Sequence, residues 1–291
     1  MYLRIIPDNT KINFVKQGRI CMIASIAIML LSILLVFTKG INFGIDFTGG
    51  AEIEAKTTDE ISLGEIKGAL QKFGPIVQKT SKDGEILIRA KAENDAILTQ
   101  MVQTLKNKFS DKLIYKKADY IGPQISKDMV FNGYKAVTLA LLGMMIYLGF
   151  RFGLLFSFSG IFALIHDVAT TIGFFAITQL EFSTASVIAL LTIIGYSIND
   201  SVVIYERIRD NRQKHQQKLT KELINSSVNE TLSRTILTSI TTLIAAVMLA
   251  IFSGKTLGSF SWAIVFGVAI GTYSSIFIAP QIIILCKRKT Q

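Results

Sequence analysis

Cysteine and histidine are scarce, with two of each in 291 residues and none of the four close to another in sequence. That excludes the paired Cys/His spacings of zinc sites. The chain also has no Gly-x-x-x-x-Gly-Lys-Ser/Thr stretch, so no phosphate-cradling nucleotide loop is present. No Ser-His-Asp order of a hydrolase is found either, and neither an enzyme nor a bound cofactor or metal is expected. Work done by this chain must draw on an ion gradient or on a partner. Charge is scarce as well: only 18% of residues are Asp, Glu, Lys or Arg, and whole stretches have none.

What is present is apolar surface in long blocks. Half of the residues are hydrophobic and the mean hydropathy is +0.46. A bilayer core about 30 Å thick takes about 20 apolar residues as a helix. Residues 20–38 are uncharged, 129–150 carry only Lys135, and 152–180 carry only His166 and Asp167 as polar ionisable groups. The stretch 182–205 contains one charged residue, Asp200, while 235–252 and 257–286 contain none. Six spans follow. The first block is longer than the apolar region of a signal peptide and precedes no clear small-x-small cleavage site, so it reads as a retained span.

Lys and Arg orient these spans. Arg4, Lys11, Lys16 and Arg19 lie in the segment 1–19 before the first span, and Arg151 separates the second from the third. Seven basic residues between Arg207 and Arg234 occupy the segment 206–234, and Lys287, Arg288 and Lys289 lie in the tail 287–291. The opposite short loops offer only Glu181 and Lys255. Both termini are therefore expected on the cytoplasmic side of the inner membrane. The net charge of +10 is mostly a property of this face, next to anionic lipid, and not a nucleic-acid patch. Cys21 and Cys286 fall near the reducing side, where no disulfide is expected.

Residues 39–128 are the one segment long enough to fold outside the membrane. Residues 51–56 alternate, with Ile53 and Ala55 on one face and Glu52 and Glu54 on the other, as in a strand. Ser62 and Glu65 read as a capping box before a helical stripe of Leu63, Ile66, Leu70 and Phe73. Strands over 76–80 and 85–91 flank Lys82-Asp83-Gly84, a hairpin signal. A second stripe, Ile97, Met101, Leu105 and Phe109, precedes a closing strand over 112–116. The order β-α-β-β-α-β is that of a ferredoxin-like α+β unit. The fold class expected is thus an α-helical polytopic membrane protein of six transmembrane helices, with this domain between the first and second.

The residues after the first span read Gly-Ile-Asp-Phe-Thr-Gly-Gly (44–50), which closely resembles the signature of the SecF family. The likeness continues in Ile121-Gly122-Pro123, in ALIHDV (163–168), in LTIIGYSINDSVVIYERIR (191–209), in NETLSRTILTS (229–239) and in GTYSSIF (271–277). The resemblance implies a subunit of the resistance-nodulation-division superfamily that pairs with a SecD-like partner chain. It implies action beside the SecYEG channel, with the proton gradient helping to draw an exported, unfolded polypeptide outward.

An ionised side chain at bilayer depth costs at least about 2.5–3.5 kcal/mol, so each one asks for a use. Asp200 falls in the cytoplasmic half of the fourth span and Arg234 at the cytoplasmic start of the fifth. Their depths match, so an Asp200–Arg234 pair is expected, for which an arriving proton would compete. The bland reading is a static ion pair that fixes helix packing. The resemblance implies proton coupling at both positions. His166 and Asp167, adjacent in mid-span, point about 100° apart; one serves as a relay while the other packs or hydrogen-bonds, or both are satisfied polar contacts. Ser197, Asn199 and Ser201 are available to partner Asp200. Asp46, Gly49 and Gly50 read as a hinge, since paired glycines permit positive φ and close approach. Gly267 and Gly271 permit close helix packing, and Pro280 should kink the sixth span.

A rival reading is the six-span half of a proton-driven small-molecule or lipid exporter. Members of that kind carry much larger outside domains than about 90 residues. A passive assembly subunit, with a structural Asp200, is the remaining alternative.

Overall fold

The computed structural model describes residues 10, 12–57, 61–79, 84–214, 216 and 218–288. The chain divides into two compact units, Phe43–Tyr134 and a second unit of Met1–Asn42 with Lys135–Gln291.

In the first unit the alternating stretch forms strand β1 (Gly50–Thr57), followed by helix α3 (Leu63–Ala69), β2 (Ile76–Lys79), β3 (Glu85–Ala90), α4 (Asp95–Phe109) and β4 (Leu113–Ile121). The strands make one antiparallel sheet in the order β2-β3-β1-β4, as the ferredoxin-like reading requires. β1 pairs with β3 so that Ile53 faces Ile88 and Ala55 faces Ile86. These four side chains are buried with Ile66, Leu70, Met101 and Leu105 from the two helices, which forms the domain core. On the other face Arg89 Nε donates to Glu52 Oε2 at 2.6 Å, directly across the β1–β3 pair. Lys116 of β4 reaches over β1 to bind Glu85 of β3.

Local details depart from the sequence reading. Ser62 caps α3, but its hydroxyl accepts from the Gly64 N–H and not from Glu65. Phe73 lies in a separate turn (Gln71–Phe73), because α3 ends at Leu70, which leaves the helical conformation; Gly74, in the left-handed conformation, closes that turn. Leu98, and not Ile97, sits in the buried stripe of α4. The last strand runs to Ile121, four residues beyond the bulge at Glu54/Ala55, and not only to 116. Of the hairpin signal, Lys82 and Asp83, like Thr80, lie outside the described residues.

The short turn α2 (Ile45–Thr48) leads into β1 through Gly49 and Gly50, at φ +68° and +115°. A Cβ on Gly50 would stand 2.5 Å from the Ala90 carbonyl oxygen, so only glycine fits.

The second unit is helical. Its elements are α1 (Phe14–Lys39), the membrane part of α5 (Pro123–Phe152), α6 (Leu154–Thr178), α7 (Thr184–Lys214), α8 (Lys221–Phe252), α9 (Gly254–Tyr273), a π-turn (Ser274–Ile278) and α10 (Ala279–Arg288). Among the described residues, six helices are long and apolar enough to cross a membrane, with Leu257–Lys287 counted as one. Helices α7 and α8 extend well beyond the apolar stretches of the sequence. The segment 206–234 is therefore mostly helix, with Ile208, Asn211, Ile224 and Val228 packed inward. Arg4 and Lys289, used above for orientation, lie outside the described residues, as does Lys11.

Glycine sets the closest helix contacts. A Cβ on Gly267 would lie 2.2 Å from Ile193 Cδ1, and one on Gly271 would lie 3.0 Å from Ser197 Cβ. The Gly-x-x-x-Gly face of α9 thus seats the Ile193/Ser197 face of α7. Gly173 of α6 does the same for Ser32 of α1, at 2.2 Å from its hydroxyl. At one end of the unit, Asn42 Nδ2 donates to Gln179 O at 3.0 Å and Phe182 N to Asn42 O at 2.8 Å, tying the end of α1 to the α6–α7 turn.

Candidate functional site: a buried polar seam between α6, α7 and the π-turn

The sixth span does not simply kink at Pro280. It widens one turn earlier, where the Ala279 N–H bonds to Ser274 O and closes an i→i+5 turn. Pro280 has no N–H to continue an α-helical ladder and its ring opposes the carbonyl four residues back, so an extra residue in the turn relieves the conflict. The bulge points Ser274 and Ser275 into the bundle, where both are fully buried.

Asp167 of α6 meets them there. It is 0% exposed. Ser197 Oγ from α7 donates to Asp167 Oδ2 at 2.6 Å, and Ser274 Oγ from the π-turn donates to the same oxygen at 2.8 Å. The His166 ring Nδ1 lies 3.0 Å from Asp167 Oδ1, although the two side chains leave the helix in different directions. Three elements thereby converge on one carboxyl group. His166, 2% exposed, has its Nε2 buried without a hydrogen-bond partner beside the Tyr273 ring.

The seam continues along α7. Ser201 and Ser275 hydroxyls are 2.9 Å apart, and Ser275 Oγ donates to Ser197 O at 3.1 Å. Farther along, Tyr205 OH donates to Ser159 Oγ at 3.0 Å, and Ser159 Oγ to Ala279 O at 2.5 Å. A second cluster joins Tyr196, Ser239 and Thr272, with Ser239 and Thr272 hydroxyls 2.6 Å apart.

Asp200 lies one turn from Ser197 on α7, is 2% exposed, and its Oδ2 has no hydrogen-bond partner. The direct Asp200–Arg234 ion pair expected from their depths is not formed: among the described residues no such contact lies within 4 Å, and the Arg234 side chain is exposed. The polar side chains offered to Asp200 in the sequence reading do not serve it. Ser197 serves Asp167, Ser201 serves Ser275, and Asn199 is exposed. Sequence reasoning missed Ser274 and Ser275; Pro280 was the available signal, since a proline inside a span demands a local rearrangement upstream.

Asp46 lies in the first turn of α2 in the other unit, and Gly49 and Gly50 follow it, so these three belong to the entry of β1. Among the described residues, no three His, Cys, Asp or Glu side chains stand together as a metal site.

This arrangement has known relatives. A family model for the C-terminal part of the protein export membrane proteins SecD/SecF matches residues 100–289, and one for the SecD/SecF GG motif matches residues 34–60. Protein translocase subunit SecF of Rickettsia typhi is 40% identical over 99% of this chain and 96% of its own length. The SecF subunit of Calditerrivibrio nitroreducens is 36% identical over 98% and 97%. Among solved structures, SecDF from Thermus thermophilus, described as a translocon-associated membrane protein, superposes with a TM-score of 0.87 at 31% identity. That match takes in 99% of this chain but 40% of the longer SecDF chain. A second SecDF structure, in a super-membrane-facing form, gives 0.70.

The chain therefore belongs to the SecF family of protein translocase subunits. It is a multi-pass membrane protein of protein transport, and the small-molecule exporter reading is not favoured.

Proposed function

We propose that this chain is the SecF half of a SecD–SecF assembly in the inner membrane, with both termini cytoplasmic. It acts without enzymatic chemistry of its own, next to the SecYEG channel, and couples proton entry to the outward movement of an exported unfolded polypeptide. The orientation rests on the bias of Lys and Arg to one set of loops, and the same basic face suits anionic lipid. A unit that spans 40% of a fused SecDF chain leaves the rest to a separate SecD-like partner.

The observation that carries the proton reading is the contrast between two buried carboxyl groups, Asp167 on α6 and Asp200 one turn along α7 from the serine that serves Asp167. Asp167 is fully hydrogen-bonded, whereas Asp200 has a buried oxygen with no partner. An unpartnered buried carboxyl is expensive to keep, so it asks for a use other than packing. A group that takes up and releases protons needs such an open position. Arg234, on the neighbouring α8 at the start of the fifth span, is the cation whose approach to Asp200 alternates with the proton. His166 and Asp167 supply the neighbouring relay, and the hinge of Asp46, Gly49 and Gly50 passes movement to the outer domain.

The test is complementation of an export-defective strain lacking its own SecF. Asp200→Asn and Arg234→Gln are expected to accumulate at wild-type levels in the membrane and to fail to restore export. Restoration by Asp200→Asn would remove Asp200 from the mechanism.

A further inference from the structure

A cavity lies away from the carboxyl seam, where the chain before α1 crosses the first turns of α8. Its framework is a backbone clamp. Asn229 Oδ1 accepts from the Ile12 N–H at 3.0 Å, and Nδ2 groups of Asn225 and Asn229 donate to Ile12 O at 3.1 and 2.9 Å. The two asparagines are four residues apart on one helix face and hold both polar groups of a single residue.

Beside the clamp is an open cavity of about 630 Å³. Lys16 and Arg19, three residues apart on α1, and Lys221, the first residue of α8, line it. Among the described residues none of these three cations is paired with a carboxylate. Two acidic residues also line the cavity. Glu230 is committed to Arg207 and Asn211, which leaves Glu222 against three cations. The hydroxyl of Thr10, also in the lining, is buried without a partner, and Ser226 adds a second hydroxyl at the rim. The positive end of the α8 dipole adds to the same field.

The position of these groups on α1 identifies the source of an anion. Four and seven residues beyond Lys16, Ile20 and Ile23 are 72% and 70% exposed on the continuing face of the helix. At 1.5 Å per residue, Lys16 stands about 6 Å outside Ile20, which is the step from phosphate level to the first methylenes of a lipid. A soluble phosphate would have no use for that apolar track.

We infer that this cavity is a binding site for the headgroup of an anionic glycerophospholipid of the phosphatidylglycerol type. Its phosphate sits among Lys16, Arg19 and Lys221, its hydroxyl-bearing end faces Glu222 and Ser226, and its acyl chains lie along Ile20 and Ile23. Lipid bound there bridges α1 and α8 and reinforces the Asn225/Asn229 clamp.

The experiment uses the complete SecD–SecF complex, released from membranes and examined by native mass spectrometry with graded phosphatidylglycerol or phosphatidylcholine. One retained phosphatidylglycerol with preference over phosphatidylcholine is expected for the wild type. Replacing all three cations (K16Q, R19Q, K221Q) should weaken that retention by about a hundredfold. A control lacking two basic residues outside the cavity (R212Q, K214Q) should retain it. Equal loss in the control, or undiminished retention in the triple variant, would overturn the site. Inorganic phosphate at millimolar concentration should not displace the lipid; displacement would identify a free-phosphate site and overturn the lipid assignment. None of these readouts depends on proton coupling, so their failure leaves that reading untouched.

Discussion

Two carboxyl groups in the same seam make opposite predictions at the scale of single residues. Asp167 accepts from two hydroxyls and faces the ring of His166, so removing any donor leaves a buried acceptor short of a partner. Ser274→Ala or Ser197→Ala should each lower thermal stability in detergent by about 1–3 kcal/mol. The double variant should lose more than the sum, because it strips the shared Asp167 Oδ2 of both donors. Asp200 has no such support. Asp200→Asn should therefore melt at or above the wild-type temperature, a result that separates an open functional site from a packing contact. A marked loss of stability in that variant would mean that Asp200 holds the fold. Asp200 was legible in the sequence because it is the only charge between residues 182 and 205. Its surroundings were not legible, since which hydroxyl serves which carboxyl depends on helix rotation, and no periodicity reports that.

At the scale of elements, glycine and proline decide where helices and strands can meet. Gly267→Leu would drive a side chain into Ile193, whose nearest carbon is 2.2 Å from the position of a Cβ, and should separate α7 from α9. Overpacking of this kind costs about 1–3 kcal/mol or more, visible as a lower melting temperature and reduced membrane accumulation. Gly50→Ala meets both a positive φ and the Ala90 carbonyl oxygen. It should make the sheet domain sensitive to added protease in the detergent-purified protein, while the helical unit stays protected. The split β-α-β-β-α-β unit could be read from alternation and stripe spacing, because short-range patterns fix each element and the sheet order then follows from topology. The π-turn could not be read so directly. Pro280 announces a disturbance, but only packing selects a widened turn over a kink. The extensions of α7 and α8 past their apolar stretches escaped for a similar reason. Polar residues such as Asn211 and Ser227 look solvated in sequence, yet they hydrogen-bond to each other inside the helical hairpin at 3.0 Å.

At the scale of the whole molecule, the chain combines a family membership shown by relatives along nearly its full length, a helical unit with a buried polar seam, and a small sheet domain entered through Gly50, where a Cβ would stand 2.5 Å from the Ala90 carbonyl oxygen. The central claim is that protons passing Asp200 drive the export function. It is tested most directly by importing a secretory preprotein into inverted membrane vesicles, with and without a proton gradient, for the wild type and Asp200→Asn at matched protein levels. The account predicts that the gradient-dependent part of import is lost in Asp200→Asn while the gradient-independent part remains. Import that still responds fully to the gradient in this variant would contradict it, and would leave the chain a passive partner in the translocase.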